Sequence, residues 1–149
     1  MKILFTGGGS GGHFYPIIAV AQKINKILER ENIAGVELFY MSTGPYNEAL
    51  LLENKLIYKK ITAGKLRTYF SFKNFFDLFK TGWGILTAFY QMFVIYPDVV
   101  FAKGGFASFP ALVAARFFRI PVIIHESDSV PGRVNAWAGK FAQKIAISY

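Results

Sequence analysis

Three short stretches of this 149-residue chain carry side chains that can do chemistry. The first, Gly7-Gly8-Gly9-Ser10-Gly11-Gly12-His13, sets an imidazole at the mouth of a loop in which five of seven residues lack a side chain. Bare backbone lets a bulky group approach the loop amides closely, and an imidazole there is poised for proton transfer near neutral pH. The second, Lys103-Gly104-Gly105, combines a cation with another such loop. The third, His125-Glu126-Ser127-Asp128, supplies a second imidazole and two carboxylates. Amide-rich turns beside a cation suit an anion, typically a phosphate or pyrophosphate.

The flanking residues state how the first stretch is held. Residues 2–6 read as a short buried strand, Pro16 suits a first helical turn, and Ile17, Val20, Ala21, Ile24, Ile27 and Leu28 recur at helical spacing. Gly7, Gly9 and Gly12 also satisfy G-x-G-x-x-G, but a dinucleotide site needs an acid closing the second strand. Residues 36–41 have their one acid, Glu37, at the start and run into Ser42-Thr43-Gly44. A nicotinamide-dependent oxidoreductase is thereby disfavoured. His13-Phe14 stands where a Walker loop needs Lys-Ser/Thr, so that reading fails too. The plain alternative is a glycine turn that only packs helix against strand.

Further along, a helix over 47–54, with Leu50 and Leu51 inward, leads to a strand over 56–61 and a basic loop over 62–69 with Lys65 and Arg67. Ser71 can cap a helix bearing Phe72, Phe75, Phe76, Phe79 and Trp83, which Gly82 and Gly84 should weaken or bend before the apolar run 85–96. A strand over 98–102, the glycine loop 103–108, a helix over about 110–118 and a strand over 122–124 follow, then a loop with residues 125–128. Pro131 and Gly132 open a last helix, and 144–148 reads as a sixth strand. This alternation predicts one α/β domain over 1–149, Rossmann-like and doubly wound around a mainly parallel sheet. Loops that follow parallel strands emerge on one edge, so the three stretches should line a common cleft there.

A net charge of +8 with 17% aromatic residues points to an anionic partner: nucleic acid, acidic lipid or phosphorylated metabolite. The absence of cysteine excludes disulfides and thiolate metal sites. Met1-Lys2 leads straight into the first strand rather than an apolar leader, which argues against export. The run 85–96 is shorter than the ~20 apolar residues of a membrane span. Phe72, Phe75, Phe76, Phe79 and Trp83, rimmed by Lys73 and Lys80, instead suit peripheral contact with an anionic bilayer, the alternative being aromatics packed within the domain. Phenylalanines at helical spacing fit a base-stacking groove less well, so no nucleic-acid partner is expected.

GGGSGGHFYP, KGGFASFP and HESDSVPGRVN, in this order and across essentially the whole chain, resemble the amino-terminal half of the MurG-type glycosyltransferases. Those enzymes transfer N-acetylglucosamine from its UDP derivative to lipid I in peptidoglycan synthesis. The resemblance implies the acceptor-binding half of a GT-B enzyme, with the donor held by a second domain absent from this chain, and a domain inactive by itself. It implies that Gly8, Gly9, Ser10, Gly11, Gly12, Lys103, Gly104 and Gly105 face the acceptor diphosphate. His13 and Glu126 become the expected catalytic residues, His13 as the base for inverting transfer and Glu126 shaping the cleft, while Asp128 and Asn135 touch the donor sugar. Ser127-Asp128 departs from the usual Gln-Asn, and a carboxylate accepts but does not donate a hydrogen bond. Phe72, Phe75, Phe76, Phe79, Lys80 and Trp83 fall on the family's membrane-facing patch, implying a peripheral protein of the cytoplasmic membrane face. No metal or cofactor is implied. A second expectation is a non-catalytic subunit that recruits a separate donor-binding chain to the membrane.

Overall fold

The computed structural model describes residues 1–64 and 72–148, with backbone alone for 72–74. The expectations for Lys65, Arg67, the Ser71 cap and the side chains of Phe72 and Lys73 lie outside the described residues. Six strands, β1 (Lys2–Gly7), β2 (Glu37–Ser42), β3 (Leu56–Lys60), β4 (Val99–Gly104), β5 (Val122–Glu126) and β6 (Lys144–Ile147), form one sheet in the order β3-β2-β1-β4-β5-β6. Every pairing is parallel. Among the described residues five helices connect them: α1 (Gly11–Arg30), α2 (Glu48–Glu53), α3 (Phe72–Ile95), α4 (Phe109–Phe117) and α5 (Arg133–Ala138), with a 3₁₀ turn at Phe106–Ser108.

Alternation along the strands divides the core in two. Ile3 and Phe5 of β1 and Leu38 and Tyr40 of β2 pack with Phe14, Ile17 and Ala21 of α1 and Leu51 of α2. Leu4, Phe39, Met41, Val100 and Ala102 face the other way, onto Ala88 and Met92 of α3 and Ala111 and Leu112 of α4. The doubly wound expectation therefore holds in full. Asn47 caps α2, its Oδ1 accepting from the Leu50 N–H at 3.1 Å.

Local expectations shift where tertiary contacts intervene. The α1 helix starts at Gly11, so His13 belongs to its first turn and Pro16 sits inside the helix rather than at its start. Gly82 and Gly84 do not interrupt α3. A side chain at Gly84 would fall on the Thr62 carbonyl, so that glycine serves the close passage of the segment after β3. That segment is tied down by Thr62 Oγ1 donating to Lys80 O at 3.1 Å and the Gly64 N–H donating to Thr81 Oγ1 at 2.9 Å.

Candidate functional site

The ends of β1, β4 and β5 bring the three stretches together at the carboxyl edge of the sheet. Thr6 pairs with Ala102 and Gly7 with Gly104, leaving Lys103 as the extra residue of a bulge in β4. His125 and Glu126, expected in a loop, are the last residues of β5, where β6 holds them through the pairs His125–Ala146 and Glu126–Ile147. The two glycine loops touch. A Cβ on Gly105, whose φ is +82°, would lie 2.7 Å from the Gly8 carbonyl oxygen and 3.3 Å from His13 Nε2. A Cβ on Gly9 (φ +91°) would meet the Phe106 ring at 2.6 Å.

His13 is oriented from behind. Its Nδ1 lies 2.7 Å from Ser10 Oγ, which explains why Ser10 gives no side-chain cap to α1. When Nδ1–H donates to that hydroxyl, the ring lone pair is on Nε2, the atom turned toward Gly105. Burial lowers the His13 pKa below its ordinary value of 6.5, and the Lys103 charge lowers it further. Asp128 and Glu126 oppose that shift without reversing it. The ring is thus neutral, and able to take a proton, at neutral pH.

Lys103 is 3% exposed, and its Nζ donates to Ser127 Oγ at 2.9 Å. Among the described residues it has no carboxylate partner, since the ion pairs there are Arg30–Glu31 and Lys55–Glu29. A buried cation that makes no ion pair among the described residues can accommodate an anion brought to it.

Glu126, 5% exposed, organises the third stretch. Oε1 accepts from the N–H groups of Ser127 (2.9 Å) and Asp128 (3.1 Å), and Oε2 from Gly132 N–H (3.2 Å) and Asn135 Nδ2 (2.9 Å). Burial by itself raises its pKa, but these donors outweigh it and hold the carboxyl below its ordinary 4.5. Asn135, 7% exposed, directs the same amide at Lys103 O (3.3 Å) and His125 O (3.4 Å), joining the second stretch to the third. Its Oδ1 is buried with no hydrogen-bond partner among the described residues and faces Gly104, where any side chain would collide with it. Ser127 and Asp128 are exposed at the cleft. His125 stacks on Phe101, with centroids 6.2 Å apart, and Nε2 reaches Ser148 Oγ at 2.8 Å.

The pKa direction of Glu126 carries a stability prediction. A carboxyl depressed on folding stabilises the native state above its unfolded pKa and loses that contribution as pH falls through the folded value. Glu126→Gln turns an amide donor toward backbone donors and should cost about 1–3 kcal/mol. In urea unfolding the gap between variant and parent should be full at pH 7 and narrow progressively below pH 4.5; a gap independent of pH would contradict it.

Residues with no signal in the sequence complete the loop walls. Tyr40 on β2 donates to Gly7 O at 3.1 Å, with its phenol pKa raised by burial. Ser42, standing where a dinucleotide site would need an acid, is buried against Gly8. Only alternation could have turned Tyr40 inward, and nothing in the chain announces the reach of its hydroxyl. Among the described residues no group of three His, Asp or Glu is placed to hold a metal ion.

A model of the glycosyltransferase family 28 N-terminal domain matches residues 3–147. The chain belongs to this family. The family 28 domain is 38% identical to a Treponema denticola protein over 99% of its own length. It is 42% identical to relatives from Borreliella afzelii and Clostridium kluyveri, again over 99%. All three are named UDP-N-acetylglucosamine--N-acetylmuramyl-(pentapeptide) pyrophosphoryl-undecaprenol N-acetylglucosamine transferase. The domain spans about two fifths of their length, 38–40%. Acinetobacter baumannii MurG superposes with a TM-score of 0.75 at 26% identity, over 99% of this domain and 41% of that chain. A UGT transferase from Siraitia grosvenorii, solved with UDP, shares the fold alone, with a TM-score of 0.55 and 12% identity over 86% of this domain and 28% of that chain. The expected MurG-type amino-terminal domain and GT-B half are thereby shown.

Proposed function

We propose that this domain binds the lipid-linked acceptor of an inverting N-acetylglucosaminyltransferase, with UDP-N-acetylglucosamine held by a second domain outside these 149 residues. The observation that carries the reading is Lys103, a buried cation that makes no ion pair among the described residues, beside two touching glycine loops and the neutral ring of His13. The loop amides, the amino end of α1 and Lys103 bind the acceptor diphosphate. His13 Nε2 takes the proton of the acceptor sugar hydroxyl as its oxygen attacks the anomeric carbon. The bond to UDP breaks on the opposite face, and UDP leaves with the bonding electrons. Glu126 and Asn135 act by positioning the third stretch, and Asp128 at the cleft is the side chain within reach of the donor sugar. On this reading the α1 dipole, the loop amides and Lys103 offset part of the diphosphate charge.

Calorimetric titration with inorganic pyrophosphate tests the reading. Binding should be measurable and should weaken as salt rises. A chain that takes up no pyrophosphate at low ionic strength would sink it.

The same reading places α3 on the membrane. Phe75, Phe76, Phe79 and Trp83 are 62–66% exposed, with Lys80 exposed among them, and Phe75 packs on Phe79 at 5.0 Å. The aromatics therefore do not pack into the domain. Among the described residues no helix is long and apolar enough to cross a membrane. Rings entering the interface while lysine meets anionic headgroups would hold the protein on the cytoplasmic face. The chain should float with anionic liposomes, and Phe75→Ser/Phe79→Ser/Trp83→Ser should abolish flotation; equal flotation would refute membrane contact through this face.

A further inference from the structure

Beside the second glycine loop lies a cleft of about 220 Å³ that the reaction as described does not use. Phe106, Phe109, Val134 and Trp137 make its apolar walls, Thr81 of α3 lines it, and Arg133, itself exposed, supplies a cation. Its geometry is set by neighbours: Trp137 packs on Phe109 at 5.2 Å and on Phe141 at 4.9 Å, and the Arg116 guanidinium lies 6.0 Å from the Trp137 ring centroid. A volume below the ~300 Å³ at which pockets begin to enclose whole ligands suits one part of a larger molecule.

Two continuities say which part. Phe106 is shared, because the ring that walls the cleft is also the ring packed against Gly9 of the first loop. An anion on the glycine loops thus lies one aromatic ring away from this apolar space, and the exposed Arg133 adds a positive charge to the cleft lining. At the other side the cleft is lined by α3, the helix whose outer face carries exposed Phe79 and Trp83 on either side of buried Thr81 in sequence. An amphiphile with a charged head on the loops and an apolar tail on α3 crosses this space. We propose that the groove receives the first isoprenoid units of the polyprenyl carrier as they leave the diphosphate. This assignment rests on the acceptor reading above.

The test titrates the chain with inorganic pyrophosphate, dimethylallyl diphosphate, geranyl diphosphate and farnesyl diphosphate, followed by calorimetry. Burying a branched hydrocarbon segment in the groove should make farnesyl diphosphate bind at least about tenfold more tightly than pyrophosphate, with most of the gain present at the geranyl length. Val134→Trp, which fills the groove, should remove that gain and leave pyrophosphate affinity within about twofold. Phe79→Ser/Trp83→Ser, which strips the outer face of α3, should keep the gain. The chain-length series on the unaltered protein stands even if the tryptophan variant does not fold. Equal affinity for pyrophosphate and farnesyl diphosphate would overturn the groove assignment and leave the diphosphate site standing. A gain that survives Val134→Trp but disappears with Phe79→Ser/Trp83→Ser would overturn it too, by placing the tail on the outer face. Failure of pyrophosphate itself to bind would overturn the acceptor reading and the groove together.

Discussion

In a protein carrying both halves of the fold, His13→Ala should lower the rate of sugar transfer by about 10²–10⁴-fold, the usual worth of a positioned base. The loss should appear in kcat, with acceptor affinity changed little, because the proposal gives the anion to the loops and Lys103. The pH dependence should identify the ring. Burial and the Lys103 charge set the His13 pKa below 6.5 in the empty site, so the acid limb of kcat/KM should fall below pH 6.5. A bound diphosphate brings negative charge beside the ring and favours imidazolium, so the acid limb of kcat should lie at higher pH than that of kcat/KM. Steady-state rates between pH 5 and 9 measure both limbs. Transfer by His13→Ala at an undiminished rate, with the acid limb intact, would remove His13 from the role of base.

Lys103→Met should move stability and binding in opposite directions. Met retains most of the apolar stem in a site that is 3% exposed while deleting a charge that makes no ion pair among the described residues. The empty fold should therefore be as stable as the parent or more so, by up to about 1–4 kcal/mol in urea unfolding. Pyrophosphate affinity should fall by about 10–100-fold, the weight of a charged hydrogen bond in a desolvated place. Loss of the cation also raises the His13 pKa toward its ordinary value, so in transfer assays the acid limb should shift upward. A variant that is both unstable and unimpaired in binding would show that Lys103 serves the fold rather than the anion.

Much of this was legible in the chain because it depends on near neighbours. The strand, glycine turn and helix at the start follow from apolar periodicity and from residues without side chains. The alternation of strands and helices then leaves few topologies, and in each parallel one the loops after the strands share an edge. The co-location of His13, Lys103 and Glu126 needed nothing more. The exposure of Phe75, Phe79 and Trp83 was an open alternative, since the same spacing serves a buried face as well as a bare one.

What sequence could not supply are contacts between segments far apart along the chain. Gly82 and Gly84 read locally as points of weakness or bending; α3 runs through both, and Gly84 leaves room for the Thr62 backbone to pass. Glu126 was expected to shape the cleft, and the contacts by which it anchors its loop, to Asn135 and to the Ser127, Asp128 and Gly132 amides, are visible only in the folded chain. Lys103 sits in a bulge visible only as a slip in the β1–β4 register, and neither its burial nor its making no ion pair among the described residues is written in its neighbours along the chain. Residue order determined which groups reach the sheet edge, because periodicity and chain reversal are local. Their charge states, their desolvation and the groove beside them were decided by tertiary packing, because each depends on the summed field and volume of neighbours that no local pattern specifies.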